Sequence, residues 1–281
     1  MYFDINKKKP IHLDKDCTSI NEWMKSTNNA YSCASDPDGF LIFIKPNNID
    51  AFNEYKEGDP YKVLINLESK FQKRRFQSTL KLLYSLDNTY KLKILDLGCG
   101  EGHLTHEIFN SFPESEIFGL DYSISAIKTA NKIYTNIHFV VADGYEPPFV
   151  DNYFDVVILN NIWEHVPDPL RMLNGVKRIL RKNGAIIIST PSRYRFSNLI
   201  RILRGKRIIH MSKLHVTEYT VGQIVEQLDF SGFKISKVYS ETIKENRFFV
   251  HLIKMFISFF LRAIGSHHVL ESTVFYLGVK K

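Results

Sequence analysis

The feature that most constrains this chain of 281 residues is a glycine-rich turn that follows a short apolar stretch. Residues 94–102 read Ile-Leu-Asp-Leu-Gly-Cys-Gly-Glu-Gly, and a helical pattern comes directly after them. Glycine lets the backbone turn sharply and come close to a ligand, and the first turn of a helix offers N–H groups without an intrahelical partner. The segment therefore predicts a ligand-binding turn between a buried strand and a helix.

Short apolar stretches alternate with helical patterns from Lys91 onward. Strands that are apolar on both faces are typical of a parallel sheet covered by helices on both sides. The pattern predicts an α/β fold with a doubly wound, mostly parallel sheet. The predicted strands are 93–97, 116–120, 137–141, 154–159, 185–189, 233–239 and 273–279, and the predicted helices lie near 102–111, 123–133, 168–181, 220–230 and 248–264.

Acidic residues stand where the second and third predicted strands end. Asp121 follows the second strand, about 20 residues beyond the glycines, a position from which a carboxylate can accept both ribose hydroxyls of a nucleoside. Asp143 follows the third strand, and Asp96 precedes the glycines. An acid after a strand is often only a helix cap or a turn residue, but three acids in this order favour a nucleoside site.

This arrangement resembles the class I S-adenosylmethionine-dependent methyltransferases, with Leu95–Gly102 as their first motif. The resemblance implies S-adenosyl-L-methionine as the cofactor and a seven-stranded, Rossmann-like sheet whose last strand, Thr273–Val279, is antiparallel. It also implies contacts with the methionine part, the ribose and the adenine of that cofactor. The residues carried over for these contacts are Asp96, Gly98, Cys99, Gly100, Gly102, Asp121 for the ribose, Tyr122, Asp143 and Gly144 for the adenine, and Asn160 for the methionine amine.

Two further segments resemble the branch of this family that methylates small molecules. Residues 164–169 read Glu-His-Val-Pro-Asp-Pro and residues 213–219 read Lys-Leu-His-Val-Thr-Glu-Tyr, similar to ubiquinone-pathway O-methyltransferases and to enzymes that modify glycans. The chain lacks the Asn/Asp-Pro-Pro-Tyr/Phe signature of amino-methylating enzymes, so a nucleic-acid acceptor is not expected. The resemblance implies methyl transfer to oxygen on a small-molecule, glycan or lipid-linked acceptor.

An oxygen nucleophile usually has to lose a proton, and three residues are candidates for that chemistry. His165 and His215 qualify because imidazole titrates near neutral pH, and Glu164 stands beside His165. Structural roles for both histidines, in a helix start and in loop packing, remain alternatives. Glu164 and His165 could also share a divalent metal, but two ligands do not make a site, and no metal is predicted.

Two other functions remain as alternatives. An NAD(P)-dependent oxidoreductase uses a similar sheet, but its third glycine comes one residue later than Gly102 does here. A noncatalytic nucleic-acid-binding module on the same fold would use the basic segment described below.

Residues 1–62 and the residues directly after them precede the alternating pattern of strands and helices. Residues 1–62 carry no readable motif and are predicted to form an N-terminal extension, acting as a lid or substrate-side cap, with one strand at 40–44. Residues 63–281 form the predicted methyltransferase domain, with a helical pattern and a basic cluster at its start (Val63–Leu86) and insertions at about 192–215 and 245–265.

Charge and apolar residues concentrate in the two insertions. The net charge is +7, and residues 193–213 contain seven basic residues and no acidic one, which indicates either an anionic partner or a solvated face. The apolar helix at 248–264 permits two interpretations: it packs on the sheet or on a second copy in a homodimer, or it contacts a membrane together with 193–213.

The sequence predicts a cytoplasmic protein, with or without peripheral contact with a membrane. The first ten residues lack the apolar core of a signal peptide, and no apolar run reaches the ~20 residues that cross a bilayer. Three cysteines at wide spacing argue against a disulfide framework and are typical of a reducing compartment.

Overall fold

The computed structural model describes residues 1–4, 6–25, 31–44, 70–86, 91–240, 248–264 and 269–281. Within these ranges the chain forms twelve strands and nine helices. The strands are β1 (Phe3–Asp4), β2 (Lys9–Pro10), β3 (Cys17–Ser19), β4 (Cys33–Ser35), β5 (Leu41–Ile42), β6 (Lys93–Leu97), β7 (Glu116–Asp121), β8 (His138–Val141), β9 (Phe154–Asn160), β10 (Leu180–Pro191), β11 (Phe233–Tyr239) and β12 (Thr273–Lys280). The helices are α1 (Leu13–Asp16), α2 (Ile20–Lys25), α3 (Lys70–Leu83), α4 (His103–Ser111), α5 (Ile124–Ile133), α6 (Pro169–Ile179), α7 (Phe196–Leu203), α8 (Val221–Phe230) and α9 (Phe248–Ala263).

The seven strands β6–β12 form the predicted mostly parallel sheet, in the order β11-β12-β10-β9-β6-β7-β8. Neighbours among β6–β10 pair in parallel, and β12 pairs antiparallel with both β10 and β11. The predicted α/β fold and its antiparallel last strand are therefore confirmed. The predicted Val63–Leu86 helix is seen as α3, while residues 63–69 lie outside the described residues.

Helices cover both faces of the sheet because successive residues of a buried strand point to opposite sides. Ile94 of β6 belongs to an apolar cluster that includes residues of α3, α4 and α5. Leu95, one residue later, belongs to a second cluster that includes residues of α6 and α8. Both side chains are fully buried, which explains why the strands read as continuous apolar runs.

The described part of the N-terminal region extends this sheet, which reaches ten strands within the described ranges. β5 pairs in parallel with β8, through Leu41 opposite Val140, and β4 and β3 follow it at the edge. The sequence indicated only the strand that became β5, because β5 lies within the apolar run 40–44, whereas β3 and β4 consist of small and polar residues. Residues 45–62 lie outside the described ranges, and the role of 1–62 as a lid or cap stays a prediction.

Two of the three cysteines form a pair that the sequence analysis missed. Cys17 of β3 lies opposite Cys33 of β4, with Cα atoms 4.6 Å apart, and a disulfide joins them. The expectation drawn from cysteine number and spacing is thus corrected for this pair, because residues 16 positions apart meet only when the two strands align. Cys99 is free.

The two insertions contain α7 and α9. Among the described helices, none is long and apolar enough to cross a bilayer. α7 begins against the segment that precedes β12, where the Phe196 amide donates to the Leu270 carbonyl at 2.9 Å.

Candidate functional site

The glycine-rich turn leaves the carboxyl end of β6 and is fastened to the neighbouring strand β7. The amides of Gly98 and Cys99 both donate to the Leu120 carbonyl, at 2.7 and 3.1 Å. Gly98, Gly100 and Gly102 all have positive φ, at 78°, 55° and 78°. The turn is therefore closed by backbone hydrogen bonds and uses the left-handed conformations that favour glycine.

Two of these glycines also lie where a side chain would not fit. A Cβ on Gly98 would approach the Cδ1 of Ile162 to 2.2 Å, and one on Gly102 would approach the Cζ of Phe139 to 2.8 Å. The first contact joins the turn after β6 to the segment that follows β9. The backbone of the turn is consequently packed directly against the Ile162 side chain in the segment that follows β9.

Asp121 connects the end of β7 to the turn. Its Oδ2 accepts from the Gly100 amide at 2.8 Å, and its Oδ1 accepts from the Ser123 amide at 2.8 Å. The residue is only 5% exposed. A carboxylate oxygen has two lone pairs and can accept more than one hydrogen bond. Tyr122 follows it and is half-buried.

Asp96 is buried below the turn and accepts a hydrogen bond from the Thr105 hydroxyl at 2.7 Å. Burial, reinforced by the nearby Asp121 carboxylate, raises the pKa of Asp96 to about 7, against the smaller opposing effects of Thr105 and Arg75. Burial also raises the pKa of the neighbouring Cys99 thiol, which keeps it protonated at neutral pH. A buried, protonated thiol is a poor nucleophile.

Asp143 and Gly144 follow β8 at the same edge of the sheet. Asp143 is half-buried and accepts from the Tyr145 amide at 2.9 Å, and burial raises its pKa. A Cβ on Gly144 would contact the Cδ2 of Leu97 at 3.0 Å. Since β6, β7 and β8 are adjacent and parallel, their carboxyl ends bring the predicted cofactor residues of all three strands to one edge.

Asn160 ends β9 at this edge and contains a buried donor without a partner. Its Oδ1 accepts from the Ser189 hydroxyl, whereas its Nδ2 is buried and makes no hydrogen bond in the described structure. A buried amide group normally finds a partner, since leaving it unpaired costs about 1–3 kcal/mol. An acceptor atom of a ligand would satisfy it.

Glu164 and His165 lie in a 3-10 turn, Trp163–His165, just beyond β9. Glu164 is 1% exposed and accepts from the Asn161 amide group at 3.2 Å and the Thr190 hydroxyl at 3.0 Å. Burial raises its pKa. Its carbonyl accepts from the Val216 amide at 2.9 Å, which holds the basic insertion against this turn.

That hydrogen bond brings together the three predicted catalytic residues. The rings of His165 and His215 meet edge to face, with centroids 5.1 Å apart. One ligand atom from each of Glu164, His165 and His215 lies within 4.8 Å of the others. Two imidazoles and a carboxylate suit a transition metal. The fold adds His215 as a third candidate ligand beside Glu164 and His165. Glu164, however, already accepts two hydrogen bonds.

A buried acid fixes the orientation of His215. Its Nδ1 lies 2.9 Å from the Oε1 of Glu218, which is fully buried and also accepts hydrogen bonds from Arg195 and from the Met211 amide. Burial acts to raise the pKa of Glu218, but the hydrogen bonds from His215, Met211 and Arg195 outweigh it and hold that pKa below its usual range. An ionised Glu218 requires Nδ1 of His215 to carry a proton, so in the neutral ring the lone pair lies on Nε2.

His165 is oriented in the same way by a carbonyl. Its Nδ1 lies 3.1 Å from the Leu214 oxygen, which can only accept, so Nδ1 donates. Burial and the neighbouring His215 lower the pKa of His165, so this ring is neutral at neutral pH.

Sequence reasoning assigned no role to Glu218, Arg195 or Arg75. Glu218 lies three residues after His215, within the segment 213–219, but nothing in the sequence signals that this acid is buried. Arg75, from the basic cluster of α3, acts electrostatically on both Asp96 and Glu164 and so lies near the two buried acids.

The comparisons with known proteins agree with this geometry. A family model described as "Methyltransferase domain" matches residues 88–243. A demethylmenaquinone methyltransferase of Thermotoga maritima is 28% identical over 162 residues, covering 51% of this chain and 71% of the relative. A malonyl-[acyl-carrier protein] O-methyltransferase of Hahella chejuensis is 35% identical over 99 residues, covering 34% of this chain and 36% of the relative. For that relative and for a probable S-adenosylmethionine-dependent methyltransferase of Mycolicibacterium smegmatis, this chain spans about half of the length or less.

Solved structures share the fold at low identity. A Haloferax volcanii methyltransferase, solved in complex with the Trm112 activator, has a TM-score of 0.56 at 17% identity and covers 81% of this chain and 96% of that chain. The YcgJ protein of Bacillus subtilis has a TM-score of 0.52 at 15% identity and covers 74% of this chain and 99% of that chain.

The raised pKa of Asp96 predicts a pH-dependent stability difference between the wild type and Asp96→Asn. The folded-state pKa of about 7 lies above the unfolded value of about 3.9, so the folded state binds the Asp96 proton more tightly. The stability that this group contributes is present at low pH and is lost as pH rises towards 7. We expect urea unfolding from about pH 5 to about pH 8 to show that the free energy of unfolding of Asp96→Asn rises relative to that of the wild type. The rise should be at most about 1.4 kcal/mol per pH unit, and the difference should level off above pH 7.

Because the two proteins differ only at Asp96, the titrations of groups that do not interact with Asp96 cancel in this comparison. A difference in unfolding free energy that does not change with pH would contradict the buried, protonated state of Asp96.

Proposed function

Because the chain belongs to the methyltransferase-domain family, as a class I S-adenosylmethionine-dependent methyltransferase, we propose that it methylates an oxygen atom of a small-molecule, glycan or lipid-linked acceptor. The observation that carries this proposal is the close packing of Gly98 on Ile162. It puts the cofactor turn in direct contact with the segment that leads to Glu164 and His165. A relative named as an O-methyltransferase supports oxygen as the methylated atom.

S-adenosyl-L-methionine is the cofactor, and the residues at the sheet edge fit it. The space beside Gly98 is taken by the Ile162 side chain, so the fit depends on the unpartnered Nδ2 of Asn160 and on the acids at the sheet edge. We propose that Asp121 accepts the ribose hydroxyls and that Asp143, with the Gly144 amide, meets the adenine. The unpartnered Nδ2 of Asn160 is a donor, so it suits a carboxylate oxygen of the methionine part better than the amine expected from the sequence. When bound, the cofactor supplies a methyl group on a positively charged sulfur.

We propose His215 as the base that takes the proton of the acceptor hydroxyl at Nε2. Its Nδ1 is held by Glu218, and an ionised Glu218 stabilises the imidazolium that forms when Nε2 accepts a proton. His165, neutral and 5.1 Å away between ring centroids, is the second candidate for this proton. Glu164 accepts hydrogen bonds from Thr190 and Asn161 and so positions the turn that carries His165.

The proposal also covers where the enzyme acts. We place it in the cytoplasm, in peripheral contact with a membrane, which would give it access to a lipid-linked acceptor. The outward apolar face of α9 supports this placement.

A screen with the methyl-tritiated cofactor tests this function directly. Quinol, sugar-nucleotide and polyprenyl-linked acceptors are incubated with the protein, and we expect alkali-stable label in one of these classes. A thermal shift by NADH but not by S-adenosyl-L-methionine would instead favour the oxidoreductase. Filter binding of RNA with a steep salt dependence, without methyl transfer, would favour the noncatalytic module.

Replacing Asp121 tests the cofactor site. Asp121→Ala removes hydrogen bonds to a charged acceptor worth about 1.5–3 kcal/mol each, so affinity for S-adenosyl-L-methionine should fall at least about tenfold by calorimetry. Asp229→Ala, which removes an exposed ion pair with Lys281, is the matched control and should keep wild-type affinity. Unchanged affinity in Asp121→Ala would remove the ribose role.

Replacing His215 and Glu218 tests the base. His215→Ala should lower kcat by about 10²–10⁴ with the acceptor identified in the screen, while cofactor affinity stays within about twofold. Glu218→Gln should lower kcat less and shift the pH profile of kcat, because the imidazolium loses its charged partner. The exposed His138→Asn is the control. Wild-type kcat in His215→Ala, with loss in His165→Ala, would assign the proton to His165.

A further inference from the structure

Helix α9 turns its apolar residues outward. Side chains from Phe248 to Ile264 that would normally be buried are instead 46–77% exposed. Large aromatic residues dominate this face, which is unusual on a protein surface that meets only water. The set consists of Phe248, Phe249, Leu252, Ile253, Met255, Phe256, Phe259, Phe260 and Ile264.

The charged side of the same helix points inward. Lys254 is 3% exposed and donates to the Glu271 carboxylate at 2.7 Å, and Glu271 is 6% exposed. A buried ion pair of this kind fixes the helix rotation, because turning the helix would leave a charge buried and unpaired. Within the described ranges, this pair therefore holds the aromatic face of α9 away from the core.

A second exposed segment lies beside α9. Glu271 is adjacent to Leu270, whose carbonyl accepts from the Phe196 amide at the start of α7. From α7 onward the chain exposes Ile202, Leu203, Ile209, Met211, Leu214 and Val216, each 44–75% accessible. Residues 202–216 and α9 thus each expose apolar side chains, and contacts of Leu270 and Glu271 tie the start of α7 and α9 to the same short segment.

Basic residues alternate with these apolar ones. Arg204, Lys206, Arg207 and Lys213 are exposed and form no ion pair within the described structure, and residues 193–213 contain no acidic residue. Unpaired cations around an apolar face complement a surface that is anionic at its rim and apolar beneath, as in an anionic lipid bilayer. Aromatic side chains in addition favour the bilayer interface.

We propose that α9 and residues 201–216 form a docking surface for an anionic lipid bilayer. The residues of this surface also reach the candidate base: His215 lies within the segment, and Val216 bonds to the Glu164 carbonyl. Docking would therefore bring the site next to the membrane, and a lipid-linked acceptor could enter without leaving it. This last link rests on the proposed function, whereas the docking itself does not.

Sedimentation of the full chain with vesicles tests the proposal without cofactor or acceptor. We expect binding to vesicles of phosphatidylcholine mixed with phosphatidylglycerol, and little binding to phosphatidylcholine alone. The double variant Phe249→Ser/Phe256→Ser removes two of the most exposed aromatic side chains and should abolish binding. Neutralising Arg204, Lys206 and Arg207 to Gln should weaken it by about two orders of magnitude, at about fivefold per charge.

Matched controls separate docking from general effects. Phe230→Ser removes an aromatic that is 81% exposed but lies on α8, and Lys132→Gln removes an exposed charge on α5; both should bind vesicles like the wild type. All variants should keep wild-type affinity for S-adenosyl-L-methionine, which shows that they fold and is independent of methyl transfer.

Three results would overturn the proposal. These are no binding to either kind of vesicle, vesicle binding that survives in Phe249→Ser/Phe256→Ser, and a dimer in sedimentation velocity that this double variant dissociates. The last would assign the aromatic face to a second copy of the chain. Failure of the methyl-transfer screen with intact vesicle binding would overturn only the proposed function.

Discussion

The hydrogen bonds between the glycine-rich turn and β7 are the interaction on which the rest of the site depends. Gly98 and Cys99 donate to the Leu120 carbonyl, and Gly100 donates to the Asp121 carboxylate. The turn can lie this close to β7 because Gly119 leaves room for the Cys99 side chain, and at Gly98 the turn packs directly on Ile162. Four adjacent strands, β9, β6, β7 and β8, consequently bring the acids, the backbone amides and the start of the proposed catalytic segment to one edge of the sheet.

The second half of the site depends on one long-range contact. The Glu164 carbonyl accepts from Val216, and this bond joins the turn after β9 to an insertion about fifty residues further along the chain. Glu218 and Arg195 then form a buried ion pair beneath His215. Such a pair repays its desolvation only with good geometry, so it holds the insertion in place, while the other nitrogen of His215, Nε2, is the one proposed to take the proton.

The insertion at about 192–215 has a second face, which is turned to solvent and carries basic and apolar side chains in place of buried acids. Inward, acids and imidazoles are hydrogen-bonded; outward, basic side chains that form no ion pair within the described residues stand among exposed apolar ones, and α9 exposes a further apolar face. The buried Lys254–Glu271 pair shows that this outward display is held by specific interactions. The site and the proposed docking surface are therefore two sides of one structural element, and a change in either is expected to reach the other.

By itself the sequence determined the central strands and helices, the glycine turn and the acids after β7 and β8. These are local features, because apolar periodicity, positive φ at glycine and position at a strand end depend on neighbouring residues. Parallel strands, in addition, necessarily align their carboxyl ends. Tertiary structure alone decided that His215 meets His165, that Glu218 and Arg195 lie beneath it, that Cys17 pairs with Cys33, and that three short N-terminal strands extend the sheet. It also decided which way α9 faces, because an apolar helix reads the same in sequence whether its partner is a core, a second copy or a membrane, and only a contact such as Lys254–Glu271 sets its rotation.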